Sequence, residues 1–489
     1  MYSYHIFYFP FIWENPETKG KLFSEQTNLS VIPVNTYTNW LRSPDMSDKE
    51  KEDFYNEQNF YYKYVHPVLY DKKDKEPIVC HYERKEPQEH EVSYIISVKD
   101  GKTYKLKVDA MNLNLYATGV GMLTFYLKNE KEDQKEPQDI LKINQYGRRI
   151  FPPFFADIGF RNETAVFLQI EGLNGEQSNF CEDFSSYGTP NSDNLYTAWR
   201  PACFIKYLIA DLSETIEIKP VIDDRMFVSS WYKNNDLTKK FEQTEESLDD
   251  FFSKDDFWYK YLFVDINDPT CQNDAMKKEL VEKHTYKRWQ KGGSLYGISR
   301  YSFVMLTNNK CPDFLLQYFQ TMYARMTELV LLQRASRLRF SDEVNRLSNL
   351  SRKNVPDKKM IEQISSLYKE YIRFINRIYF KDVTAQEQGI ELYDMFFKTM
   401  NVSEHVKELD EEINELNEYV NMLDDKIRNK HAKALNTIAI IFLPATFVFS
   451  WFGMNDYWDI PLWKGFLIGL SASAVGSVIL LYLINKFKK

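Results

Sequence analysis

A chain of 489 residues exceeds one ordinary hydrophobic core, so a large soluble part joined to a further module is expected. Its net charge of -8, without a long Lys/Arg block, argues against a nucleic-acid partner. Cys80, Cys181, Cys203, Cys271 and Cys311 stand singly, with no CxxC pair and no Cys/His spacing suited to zinc, and read as reduced, buried cytosolic thiols.

The first residues, MYSYHIFYFPFIWENPE, are aromatic but carry Pro10 and Pro16 and lack a basic leader, so they do not read as a secretory signal. From there to about residue 310 the pattern is mixed and predicts a cytoplasmic α/β or α+β domain, helices around a sheet. In YKLKVDAMNLNLYATG, Leu106, Val108, Leu113, Leu115 and Ala117 alternate with polar residues, and MLTFYL resumes after Gly119 and Gly121, which predicts a hairpin. IVCHY, YLFVDI and YSFVML read as further strands, separated by turn-prone stretches such as NNDLTKKFEQTEESLDD. No GxxxxGK[ST], HExxH, GxSxG or GxGxxG occurs, and the histidines are dispersed; a membrane-anchored enzyme stays as an alternative without a motif behind it.

After Pro312 the texture becomes helical, and residues 311–433 read as long stalk helices. One helix is predicted from Phe314 to about Leu350. A second starts near Asp357 with an apolar seam of Met360, Ile364, Leu367, Tyr371, Phe374 and Ile378. A third is expected from a capping box at Thr384 to Glu387. Beyond Asn401 a seam of Val406, Leu409, Ile413, Leu416, Val420, Leu423 and Ile427 has no Gly or Pro until Pro444, which predicts one continuous helix of roughly 50 residues, about 75 Å long.

Residues 434–489 hold two charge-free runs, Ala434 to Asn455 and Gly465 to Asn485, each close to the roughly 20 residues a helix needs to cross a bilayer. A central Asp or Lys would cost about 2.5–3.5 kcal/mol on insertion, whereas each Leu, Ile, Phe or Val returns about 0.3–0.6, so the absence of charge decides the reading. Spans are expected over about 434–452 and 464–485, joined by a loop at 453–463. Lys426, Arg428, Lys430 and Lys433 precede the first span and Lys486, Lys488 and Lys489 follow the second, which places both termini in the cytoplasm and Asp456 and Asp459 outside. A soluble helical hairpin is the alternative.

Asn429, Ala432, Asn436, Ala439, Leu443, Thr446 and Ser450 recur at spacings of three and four and share one helical face, almost all small or polar. Such a stripe lines a pore if it faces a symmetry axis, or glues two helices if it does not. In the second span, Gly469, Ser473 and Gly476 have the spacing of a close-packing face.

FGMN at the end of the first of two C-terminal spans resembles the GMN signature of the CorA family of magnesium channels, and Pro444, Thr446, Asn429 and Asn436 fit the same pattern. The resemblance is close over Thr384 to Lys489 and looser from Phe314. It implies a homopentamer in the inner (plasma) membrane, passing Mg2+, with Gly453, Met454 and Asn455 as selectivity filter, the stripe as pore lining and Leu443 near a hydrophobic constriction. A ring of Asn455 amide oxygens would accept hydrogen bonds from the water shell that Mg2+ keeps, and Gly453 would allow a tight turn. Phe452 stands where tyrosine is usual in the family.

VDAMNLNLYATGVGMLTFYLKN and ILKINQYGRRIFPPFF look similar to the N-terminal region of enlarged CorA-like proteins, some associated with type III CRISPR antiviral systems. That resemblance implies a nucleotide second messenger, such as an adenylated S-adenosylmethionine or an oligoadenylate, as gating ligand. Tyr146, Arg148 and Arg149 would then meet a base and a phosphate, the plainer reading of the pair being a solvated turn. A housekeeping Mg2+/Co2+ transporter gated by cytosolic Mg2+ is the alternative within the family.

Overall fold

The computed structural model describes residues 1–43, 48–72, 76–85, 91–152, 164–173, 180–186, 200–351 and 355–454, together with scattered positions between 463 and 478. It forms two compact units, Met1–Asn349 with Ser366–Ile413, and Leu350–Ser365 with Asn414–Lys489.

The first unit is built on one sheet. Its strands are β1 (Ser3–Glu14), β2 (Trp40–Arg42), β3 (Val79–Arg84), β4 (Ser93–Ser97), β5 (Thr103–Tyr116), β6 (Val120–Asn129) and β7 (Phe167–Glu171). Then follow β8 (Phe180–Asp183), β9 (Glu217–Pro220), β10 (Phe227–Lys233), β11 (Thr285–Tyr286), β12 (Leu295–Ile298) and β13 (Ser302–Thr307). Their spatial order is β11-β12-β13-β10-β1-β6-β5-β4-β7-β8, with β3 also on β5, β2 on β3 and β9 on β1. Among the described residues β10 and β13 pair in parallel and the other pairs are antiparallel, so the domain is α+β.

The aromatic N-terminus is the central strand. Tyr4 to Trp13 are buried, which is why β1 reads as an unbroken apolar run rather than an alternation. One edge of β1 pairs β6 from Ser3↔Asn129 to Ile12↔Val120. Its other edge pairs β10 up to Tyr8↔Phe227 and β9 from Phe11↔Pro220 onward. The two partners part at Phe9 and Pro10, where proline has no N–H to offer a ladder. The expected hairpin is present as β5 and β6, turned by Gly119 at φ +79.

Four expectations of the fold need correction. Of the thiols expected to be buried, Cys80 is, whereas Cys181 is exposed and Cys203, Cys271 and Cys311 are half-buried. YLFVDI is not a strand: Asp256–Phe263 is a helix, capped by the Asp255 carboxylate accepting from Phe257 N–H at 2.8 Å and stopped by Val264 in the left-handed region. Tyr261 and Leu262 face the core at helical spacing from Phe257 and Trp258, a period hidden by the shortness of the apolar run. NNDLTKKFEQTEESLDD holds two helices, Asn235–Lys239 and Glu245–Lys254, begun by Asn234 and Thr244 caps. The capping box at Thr384 does not form, because the Thr384 hydroxyl donates to the Phe60 carbonyl and the helix starts at Glu387.

The predicted long helices are observed as Phe314–Gln320, Met322–Ser351, Asp357–Arg377, Glu387–Met400 and Val402–Met454, the first pair being separated at Thr321. Helix Met322–Ser351 packs on the sheet. Glu328 accepts from Tyr116 Oη at 2.8 Å and from Asn114, Thr118 and Ser336 share a hydrogen bond of 2.8 Å, and Arg325 lies 3.4 Å from both Glu57 and Glu328.

In the second unit, Met360, Ile364, Val420 and Leu423 of the expected seams are buried, and Lys426 Nζ lies 3.1 Å from Asp357 Oδ2. Among the described residues no helix is long and apolar enough to cross a membrane. Most of the second charge-free run lies outside those residues.

Candidate functional site

Two features bear on function, each inside one unit. The helix Val402–Met454, 53 residues long, carries the stripe. Asn429, Ala432, Asn436, Ala439, Leu443, Thr446 and Ser450 all lie on it and all are exposed. Thr446 does not offer its hydroxyl proton outward; it donates to its own helix, to the Phe442 and Leu443 carbonyls at 3.1 and 2.9 Å. The hydroxyl lone pairs remain for water or an ion. Leu435, Ile438 and Phe442, on other faces of the same helix, are also exposed. The backbone stays helical through Gly453 and Met454, so the tight turn expected at Gly453 is not made there. Asn455, Asp456 and Asp459 lie outside the described residues, as do Ser473 and Gly476, whereas Gly469 is buried.

The second feature begins with Arg148. Helix Pro137–Gly147 starts with Pro137 in its first turn and with Glu136 N–H donating to the Asp139 carboxylate at 3.3 Å. It ends against the sheet at Gly147, where a Cβ would come within 2.9 Å of Ile96 Cδ1 and 2.8 Å of the Phe7 ring, so only glycine lets the helix end sit this close. Tyr94 Oη donates to the Gly147 carbonyl at 2.7 Å, and Met226 N–H donates to the Arg148 carbonyl at 2.9 Å. The backbone thus delivers Arg148 inward; it is 3% exposed, which overturns the solvated-turn reading for this residue. Arg149 forms a backbone bridge with Arg225 instead, and Tyr146 packs half-buried against the core.

Arg148 lines a cavity of about 290 Å³ with Arg225, Arg300, Arg334, Tyr301 and Asp223, over Pro10 at the parting of β10 and β9. The guanidinium carbons of Arg148 and Arg225 lie 5.5 and 5.4 Å from the centre of the Tyr301 ring. Arg225 is held by Asp223, Nη2 to Oδ2 at 2.7 Å. Arg300 Nε donates to the Thr399 carbonyl at 3.4 Å, and Arg334 Nη1 reaches the Met400 thioether at 3.3 Å, a weak acceptor. Arg148 Nε and Nη1 have no hydrogen-bond partner among the described residues.

The electrostatics follow from that crowding. Burial first, then Arg225 and Arg149, push Arg148 down to about 9. Burial and Arg300 also lower Arg334. Burial and a hydrogen bond with Asp223 raise the Asp224 carboxyl to about 6. A second cavity of about 400 Å³ shares Arg300 and Tyr301 and adds Lys283, His284 and Lys398. Sequence reasoning reached Arg148 through its pairing with Arg149 but missed Arg225, Arg300, Tyr301 and Arg334; they come from separate segments, and no spacing links them.

Arg300 and Arg334 also touch the joint between two helices. Asn401, at φ +53, separates Glu387–Met400 from Val402–Met454, and its N–H donates back to Lys398 at 3.3 Å. Arg337 steadies the first turns beyond, donating to the His405 carbonyl and to Glu408, both at 3.2 Å. Among the described residues no group of three or more His, Cys, Asp or Glu is placed to hold a metal ion.

The helix Val402–Met454 thus carries a small, polar stripe into a charge-free run. Residues 299–487 match the family model described as CorA-like Mg2+ transporter protein. That stretch is therefore similar to a family of membrane proteins that transport divalent cations. No curated protein matches the chain.

Proposed function

We propose that this protein is a homopentameric channel for divalent cations of the Mg2+ type, set in the inner membrane with both termini in the cytoplasm. The observation that carries the reading is the coincidence of the family match over 299–487 with FGMN at the end of the first charge-free run. The two runs, Ala434–Asn455 and Gly465–Asn485, cross the bilayer, and basic residues flank them on the cytoplasmic side. Five Asn455 amides ring the outer mouth beside Gly453 and Met454. Neutral amide oxygens accept from a hydrated ion's water and release it; carboxylates in the same place would bind the metal directly and hold it. Asp456 and Asp459 lie just beyond and raise the local cation concentration. The exposed stripe from Asn429 to Ser450 is the lining.

The soluble unit acts as a ligand sensor, and its ligand is a nucleotide second messenger of a type III CRISPR response, in the class of adenylated S-adenosylmethionine. The sequence likeness of residues 108–129 and 140–155 to enlarged CorA-like proteins supports this part. The test is Asn455→Ala in liposomes loaded with a Mg2+ indicator. Cation flux is expected to fall by at least tenfold while the oligomer's elution volume is unchanged; undiminished flux rejects the filter assignment.

A further inference from the structure

We propose that the arginine-lined cavity at the parting of β10 and β9 binds the phosphate of a small phosphorylated molecule, which takes Arg300 and Arg334 away from Thr399 and Met400 at the Asn401 joint. The effect on transport rests on the ligand-gated reading above; the binding stands on geometry alone.

Four guanidinium groups line this space, and Asp223 is the lining carboxylate among the described residues. Asp223 is spent on Arg225. Arg148 is buried with two N–H-bearing nitrogens that reach no acceptor among the described residues, an arrangement that a protein keeps where something else supplies the acceptor. Arg334 makes do with a thioether and Arg300 with a long bond to one carbonyl. Arg148 and the half-buried Arg334 therefore gain hydrogen bonds when an anion enters, and the exposed Arg300 exchanges water for it. A phosphate offers several strong acceptor oxygens in different directions and matches converging planar forks, whereas a lone carboxylate offers two.

Size and continuity select a small molecule. The cavity holds about 290 Å³, and beyond the shared Arg300 and Tyr301 the second, of about 400 Å³, continues the positive lining with Lys283 and Lys398. A ligand with two linked anionic groups, such as a nucleoside diphosphate, fills both. The site also straddles two parts of the sequence. Arg148 and Arg225 precede the stretch that matches the transporter family, while Arg300 and Arg334 belong to it, and these last two touch the final residues before Val402. Occupancy is thus felt where the 53-residue helix begins.

The experiment is calorimetric titration of the full-length protein in detergent, in Mg2+-free buffer at neutral pH, with pyrophosphate and with ADP. Saturable binding is expected, weakened at least tenfold by Arg148→Met and by Arg334→Met, and unchanged by Arg346→Met outside the cavity. Arg148→Met removes a buried cation with two nitrogens that reach no acceptor among the described residues, so its melting temperature is expected to hold or rise, which separates lost binding from lost folding. Hydrogen exchange read on the same samples is expected to quicken at Val402–His405 when pyrophosphate is added. Equal affinities in the parent and Arg148→Met, or no saturable binding of either probe, overturns the proposal. Liposome flux is read in parallel: Arg148-dependent binding without a change in flux supports the site and refutes ligand gating, and absent binding refutes the site whatever the flux.

Discussion

Acidification should destabilise the first unit through two buried imidazoles. His5 lies inside the sheet, with Nδ1 2.7 Å from Asn144 Oδ1 and Nε2 2.9 Å from Ser3 Oγ. His81 Nδ1 lies 2.6 Å from Asn114 Oδ1. Burial lowers both from 6.5 to about 4, and for His81 the Arg325 charge adds to it. A base whose folded pKa is depressed stays neutral in the native state while the unfolded chain takes up a proton. Stability is therefore whole above about 6.5 and is lost as pH falls toward about 4. Between pH 7 and pH 5 the linkage integrates to about 2 kcal/mol for each histidine, or about 4 for the pair, at 1.36 kcal/mol per pKa unit. That is a sizeable share of a domain stability of about 5–15 kcal/mol. Urea unfolding of the full-length protein in nonionic detergent, followed by tryptophan fluorescence, gives the midpoint at each pH. His5→Gln cannot titrate, so its loss between pH 7 and pH 5 should be smaller than the parent's by about 2 kcal/mol. An equal loss in parent and variant, or an imidazole resonance of His5 that titrates near 6.5, refutes the reasoning.

Two further outcomes are expected. Arg325→Met leaves Glu57 and Glu328 buried without their cation and should lower stability by about 3–5 kcal/mol; adding Glu57→Gln and Glu328→Gln should restore most of the melting temperature. Asn401→Val forces a β-branched residue into the left-handed region at a cost of about 1–2 kcal/mol, whereas Asn401→Gly should be neutral or better, a contrast that thermal unfolding reads directly.

What the sequence made legible was whatever local periodicity governs. The seam from Met360 to Ile378 is buried where a helical period places it, as are Val406, Leu409, Ile413, Val420 and Leu423 of the second seam, whereas its Leu416 and Ile427 are half-buried; no Gly or Pro interrupts either. The Gly119 hairpin was readable for the same local reason. Where the deciding contact is distant, the pattern misled. Thr384 carries the sequence of a cap, yet its hydroxyl serves a carbonyl on Phe60, more than 300 positions earlier. DFWYKYLF buries aromatic residues on most of its turns and so conceals its period. The arginine cavity shows the limit most plainly: Arg148, Arg225, Arg300 and Arg334 come from two helices and two strand ends and meet only through long-range packing. The tripeptide Gly453, Met454 and Asn455 was recognisable only by resemblance to a signature, which no periodicity supplies.

The place where β1 changes partners also fixes what that space can accept. Trp13 N–H points to β6, donating to the Gly119 carbonyl at 3.0 Å, and alternation along the strand turns the nitrogen of position 10 to the opposite edge, toward the opening. Any other residue there would aim one more positive dipole into a ring of guanidinium groups. Proline has no N–H to turn to that edge, so the main chain adds no further positive dipole to the four guanidinium groups already there, and the inward pull on negative charge is set by the side chains alone.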